Sequence, residues 1–141
     1  MILFCDTSAL VKLYVAEAES DALKTHLLES EAVAVCRIAW AEAHAALSRR
    51  AREVPEDALL IQQAKDALAK DWSKYVVLDI SQALVERAGE YADTFALRGY
   101  DSIQLAAAFE VSRIAQTPIL FACFDMRLNK AAKLLGMSCL A

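Results

Sequence analysis

The order of apolar and polar runs predicts an α/β fold, a three-layer α/β/α sandwich on a mainly parallel central sheet. Three observations predict it. Short apolar or β-branched runs alternate with longer segments of helical periodicity along the whole chain. Two of the apolar runs, Ile2-Leu3-Phe4-Cys5 and Ile119-Leu120-Phe121-Ala122-Cys123-Phe124, lead straight into an aspartate. The 141 residues, 57% of them hydrophobic, suffice for one core, yet no apolar run approaches the ~20 residues that span a bilayer. Strands separated by helices are joined by crossovers, which make neighbouring strands parallel and cover both sheet faces.

Residues 2–5 read as the first strand, followed by helices over 8–15 and 20–28. A second strand at 32–35 precedes a long helix over 38–52. Pro55 with Glu56 and Asp57 suits the first turn of the next helix, running to residue 70. Proline costs nothing there because the first N–H groups have no helical partner, and acids favour the positive end of the helix dipole. Residues 75–78 form a third strand, Ser81 caps a helix to residue 95, and Gly99 separates it from a helix over 101–114. Pro118 introduces the clearest strand, 119–124. A helix over 126–135 follows, Gly136 ends it, and 137–140 make a short edge strand. No repeat, linker or low-complexity segment breaks the series, so residues 1–141 read as one domain.

The formal net charge of −4 argues against a generic polyanion-binding surface. Met1 to Cys5 has no basic region and meets an aspartate at once, unlike a secretory signal, so a soluble, cytoplasmic protein is expected. Cysteines 5, 36, 123 and 139 show no C-x-x-C pair and read as buried reduced thiols. The only histidines, His26 and His44, fall on separate predicted helices. Without a Cys/His cluster, any metal here should be a hard, oxygen-bound ion such as Mg²⁺ or Mn²⁺.

In open parallel sheets the functional crevice lies beyond the carboxyl ends of the strands, where strand order reverses. Asp6 and Asp125 would gather there if their strands are neighbours. Each also reads as a plain helix N-cap, and Asp101, after Gly99-Tyr100, has the same ambiguity. Glu42 differs, because its i−4, i+3 and i+4 neighbours are Ile38, Ala45 and Ala46. A carboxylate on such an apolar stripe needs a partner, either a metal or a structural salt bridge, for which Arg49 is the candidate. A metal accounts for all four acids together, and removing their four charges leaves the rest of the chain neutral (−4 minus −4). Mg²⁺ keeps waters and takes one or two carboxylates directly, which suits phosphodiester hydrolysis.

With these residues in place, the chain resembles the PIN-domain ribonucleases, and within them the VapC-type toxins. The resemblance covers nearly the whole length and rests on four fragments. These are Leu3-Phe4-Cys5-Asp6-Thr7-Ser8-Ala9-Leu10; Glu42 on the helix after strand two; Arg98-Gly99-Tyr100-Asp101-Ser102-Ile103-Gln104-Leu105-Ala106-Ala107-Ala108; and Phe124-Asp125-x-x-Leu128-x-x-Ala131-Ala132 before Gly136. It implies a PIN-like α/β/α sandwich and Mg²⁺- or Mn²⁺-dependent endoribonuclease activity, often on structured RNA such as transfer RNA. It also implies a cognate antitoxin and a homodimer. The matching residues Asp6, Glu42, Asp101 and Asp125 would form the acidic site, with Asp6 and Asp101 on the metal, Glu42 and Asp125 direct or through water, and Thr7 or Ser8 in support. The chain departs from the family at Cys123, where Thr or Ser is common.

Substrate contacts would need cations, and Lys12, Arg49, Arg50, Arg52, Arg98, Arg127, Lys130 and Lys133 are available, with Arg49 and Arg127 best placed. Trp40 and Trp72 read as core or interface aromatics rather than base-stacking platforms. Phosphatases with a nucleophilic aspartate after strand one need a second acid where Ser8 stands, and a phosphoacceptor receiver would rest on Asp79 alone. The remaining alternative is a PIN-like module that binds RNA or protein without cutting.

Overall fold

A computed structural model describes residues 1–140, so Ala141, the last residue of the expected domain, lies outside the described residues. Five strands, β1 (Ile2–Cys5), β2 (Ala32–Cys36), β3 (Val76–Leu78), β4 (Ile119–Ala122) and β5 (Ser138–Cys139), form one sheet in the order β3-β2-β1-β4-β5. Every pairing is parallel. The chain adds β2 and β3 on one side of β1, then crosses to add β4 and β5 on the other, so strand order reverses between β1 and β4.

Among the described residues the seven α-helices are α1 (Thr7–Lys12), α2 (Ser20–Glu29), α3 (Ala39–Glu53), α4 (Ala58–Trp72), α5 (Gln82–Phe95), α6 (Gly99–Ala115) and α7 (Met126–Leu134). Successive side chains on a strand point to opposite faces, and the core divides accordingly. Ile2 and Phe4 face α5, α6 and α7, whereas Leu3 and Cys5 face α1 to α4. A small third cluster, with Val15, Leu47, Ile61 and Ala64, seals α3 and α4 against the chain after α1. Among the described residues no helix is long and apolar enough to cross a membrane.

Several boundaries differ from the expected ones for local reasons. Asp6 caps α1, so the helix starts at Thr7, and it stops at Lys12 when Leu13 closes a tightened last turn. Strand β4 ends at Ala122 rather than residue 124 because the Cys123 carbonyl is taken by the Asn129 side chain at 2.9 Å. Pro55–Asp57 forms a 3₁₀ turn and α4 starts after it. Gly99 does not separate α5 from α6; it is the first residue of α6, and the break comes at Ala96, which adopts a left-handed conformation. Gly136, with φ of 88°, ends α7 as expected.

At the sheet centre Phe4 and Phe121 are register partners, both fully buried, with stacked rings 5.9 Å apart. Truncating either leaves a cavity that rigid neighbouring strands cannot close. Phe121→Ala should lower unfolding free energy by about 3–5 kcal/mol in urea titration with an unchanged m-value. A loss below about 1 kcal/mol would show that the β1–β4 contact is not closely packed.

Candidate active site

Strands β1 and β4 lie side by side, and the amide of Asp6 donates to the Ala122 carbonyl at 3.1 Å, so the chain leaving β1 stays anchored to β4. Both strand-ending aspartates are helix caps. Asp6 Oδ1 accepts from the Ala9 amide at 2.9 Å and the Ser8 hydroxyl at 2.8 Å, and Asp125 Oδ1 accepts from the Leu128 amide at 2.9 Å. Capping therefore does not compete with a role in a site. It uses Oδ1 and pins each carboxylate at the carboxyl edge of the sheet.

Glu42 is half-buried in the first turn of α3. Its Oε1 accepts from the Thr7 hydroxyl at 2.7 Å and from Gln104 Nε2 at 3.1 Å. The Glu42–Arg49 salt bridge considered from sequence is not the pairing that forms; Arg49 pairs with Glu53 at 3.4 Å. Nor is the alanine stripe a packed face, since Ala45 and Ala46 are exposed and wall an open cleft. Their small side chains leave space that larger residues would fill.

Asp101 is the third residue of α6, not its cap, which is Arg98. Arg98 Nε donates to Asp101 Oδ2 at 3.2 Å while its guanidinium lies 4.8 Å over the Tyr100 ring. The Asp101 carboxylate raises the Arg98 pKa above its ordinary value. Gln104, one turn further on the same helix, is buried and reaches both Thr7 and Glu42. It lay inside a quoted fragment but was given no role. The available signal was one amide among the leucine and alanines of a buried helix face.

The four acids line one open cleft of about 990 Å³, together with Thr7, Ser8, Gln104, Lys12, Arg49, Arg52 and Arg98. Arg127 is not among the lining residues and donates to the Ala96 carbonyl at 3.2 Å, while Lys12 is held by Glu17 at 3.0 Å. The histidines also lie apart from the cleft lining, His44 tilted against Trp40 with ring centroids 4.6 Å apart. Trp40 in turn meets Trp72 edge-on, a packing role for both indoles. All four cysteines are free thiols.

Burial pushes the Asp6 carboxyl up from its usual range, and the charge of Asp101 pushes the same way. Hydrogen bonds from Ala9, Ser8 and the Cys123 thiol pull it back without cancelling the rise. Burial, reinforced by the charge of Asp6, strongly raises the Cys123 thiol pKa, so it stays protonated beside the carboxylate. The Asp125 amide donates to the Cys123 sulfur at 3.3 Å, which places this thiol between the two capping aspartates.

The donor set is one of hard carboxylate oxygens, suited to a divalent ion of the Mg²⁺ type. Among the described residues, no three Asp, Glu, Cys or His side chains converge closely enough to hold a metal ion by themselves. Asp6 and Asp101, near enough to interact electrostatically, are the pair that would supply the one or two carboxylates such an ion takes while it keeps its waters.

Fold and site together define an open parallel α/β protein with an acid-lined cleft at its topological switch point. The family model for the PIN domain matches residues 3–134, and the chain belongs to that family. It is 30% identical over 139 residues to ribonuclease VapC46 of Mycobacterium tuberculosis, covering 99% of this chain and 96% of that one. Its fold is similar to VapC20 of the same species, a sarcin-ricin loop cleaving toxin, with a TM-score of 0.67 and 20% identity over 92% of this chain and 94% of the other. It is similar too to a chain of a toxin-antitoxin complex from Klebsiella pneumoniae, with a TM-score of 0.58 and 21% identity, covering 85% and 84% of the two chains.

Because the folded chain raises the Asp6 pKa, ionising this group costs stability. Its favourable contribution is fully present below the unfolded-state pKa and is lost as pH rises through the folded one. Asparagine keeps the cap and the shape without the charge. Metal-free Asp6→Asn should therefore melt above metal-free wild type at about pH 7.5, and the gap should close near pH 3.5, below the usual carboxyl pKa. A gap that does not change with pH would show that burial of the Asp6 charge is not its source.

Proposed function

We propose that this chain is a divalent-metal-dependent endoribonuclease acting as the toxin of a toxin-antitoxin pair. One observation carries the proposal: Asp6, Glu42, Asp101 and Asp125, from four separate segments, line a single cleft at the switch point of a PIN-family sheet, with Glu17 held beside Lys12 in the same lining. The relative VapC46, called a ribonuclease, supports the reaction, and the fold is shared with VapC20, called a sarcin-ricin loop cleaving toxin.

Asp6 and Asp101 are assigned to hold Mg²⁺ or Mn²⁺, and Glu42 and Asp125 to orient its waters or bind it directly. A bound divalent ion supplies an activated water and offsets charge on the phosphate and leaving oxygen. Thr7 and Ser8 hold the carboxylates of Glu42 and Asp6 through the hydrogen bonds described. Arg49, Arg52 and Arg98 line the cleft and are assigned to the RNA phosphates. Arg127, engaged with Ala96, is assigned instead to the α5–α6 connection at the rim. The substrate is a structured RNA, transfer RNA among the candidates, and the working compartment is the cytoplasm.

A cognate antitoxin fits the charge of the cleft, which can accept an inserted Arg or Lys. A homodimer is supported by the apolar surface at the start of α4, where Leu59 and Leu60 are exposed.

Wild type should cut a transfer RNA pool with Mn²⁺, whereas Asp6→Asn and Asp101→Asn should lose more than about 100-fold, the upper end for losing a supporting group at a metal site. Mn²⁺ at a hundred times its Kd should also stabilise wild type by about 2.7 kcal/mol, and Asp6→Asn far less. Equal cleavage by all three proteins would sink the catalytic reading, and RNA binding without cleavage would turn it into a non-catalytic binding module.

A further inference from the structure

We infer that Gln104 is a positioning residue that fixes Glu42 through one carboxylate oxygen and thereby directs Glu42 to act through the other. The inference rests on the acidic-site reading above. Gln104 is 3% exposed on α6, whose other buried residues include Ser102, Leu105, Ala106, Ala107 and Ala108. Glutamine is rarely so deeply buried, because its amide brings two donors and an acceptor that must leave water. Here both donors are used: Nε2 reaches Thr7 Oγ1 and Glu42 Oε1, each at 3.1 Å. The Thr7 hydroxyl, accepting from Gln104, donates to the same Glu42 Oε1 at 2.7 Å. The three side chains thus close a ring of hydrogen bonds.

A carboxylate only accepts, so the amide nitrogen must face Glu42, and this leaves Gln104 Oε1 buried with no protein hydrogen-bond partner. A leucine would pack at this position without stranding an acceptor, so the amide disfavours folding at one end while ordering a cleft carboxylate at the other. Two donors saturate Glu42 Oε1. Any hydrogen bond that Glu42 accepts from a water or a substrate hydroxyl in the cleft then falls to Oε2, whose direction is set by the fixed carboxylate plane. Thr7 follows β1, Glu42 lies on α3 and Gln104 on α6, so the ring also ties the two helical layers together across the sheet edge.

The test combines a metal-free measurement with kinetics. In the metal-free protein, the Gln104 side-chain amide protons should exchange slowly with solvent by ¹⁵N NMR, and at least about tenfold faster in Thr7→Val. Gln104→Leu should lower kcat for Mn²⁺-dependent RNA cleavage by about 10-fold, as loss of an outer-shell partner does, with KM changed less than about 2-fold. Gln104→His keeps an N–H donor at similar reach and should restore kcat to within about 3-fold of wild type. In a Glu42→Gln background, Gln104→Leu should have less than about 2-fold further effect, because a residue acting only through Glu42 has nothing left to position. Unchanged kcat in Gln104→Leu, or the same 10-fold loss in both backgrounds, overturns the inference while leaving the nuclease reading intact. A wild type that neither cleaves RNA nor is stabilised by Mn²⁺ overturns that reading, and this inference with it. If Gln104→Leu fails to fold, the amide exchange in wild type and Thr7→Val and the activity of Gln104→His still decide the matter.

Discussion

The parallel pairing of β1 with β4 is the contact on which the rest of the molecule depends. Strand β1 is buried along its whole length and carries neighbours on both sides, so its four residues contribute to both core layers at once. Register with β4 runs from Ile2–Ile119 to Cys5–Ala122, which ends both strands at one level and starts α1 and α7 near the same point. Two aspartates more than a hundred residues apart in sequence line one cleft for that reason. A slip of one residue would turn Phe4 and Phe121 out of their shared layer and misplace Asp6 against Cys123.

Gathering acids at such a point carries an electrostatic cost, and the chain offsets it with local donors. Helix N-termini supply amides to Asp6 and Asp125, a threonine and a glutamine hold Glu42, and Arg98 covers Asp101. At Asp6 burial outweighs the hydrogen bonds. The repulsion that remains at Asp6 is of the kind a divalent cation would offset. Cys123 belongs to the same design. Its neutral thiol occupies the place between Asp6 and Asp125.

Much of this was legible in the residues. The strand and helix series needed only period-two and period-3.6 patterning, and departures from it came where side chains claim backbone groups, as Asn129 does at the end of β4. Asp6 and Asp125 were visible because each directly follows an apolar run in the sequence. Glu42 stood out for its apolar neighbours, although the reason proved different: Ala45 and Ala46 wall a cleft instead of packing. Arg127 misled because helix position alone does not show which carbonyl a long side chain will find.

By itself, the sequence determined the alternation of elements, the α/β class, the aspartates at strand ends and the hard-oxygen character of the candidate metal site. These follow from local periodicity and from residue chemistry, which act over a few positions along the chain. Tertiary structure alone decided that Arg49 turns to Glu53 while Thr7 and Gln104 take Glu42, that Arg98 covers Asp101, and that Cys123 meets Asp6. Hydrogen-bond partners are chosen by distance in space, and residues 7, 42 and 104 become neighbours only after strand order has brought three distant segments to one edge of the sheet.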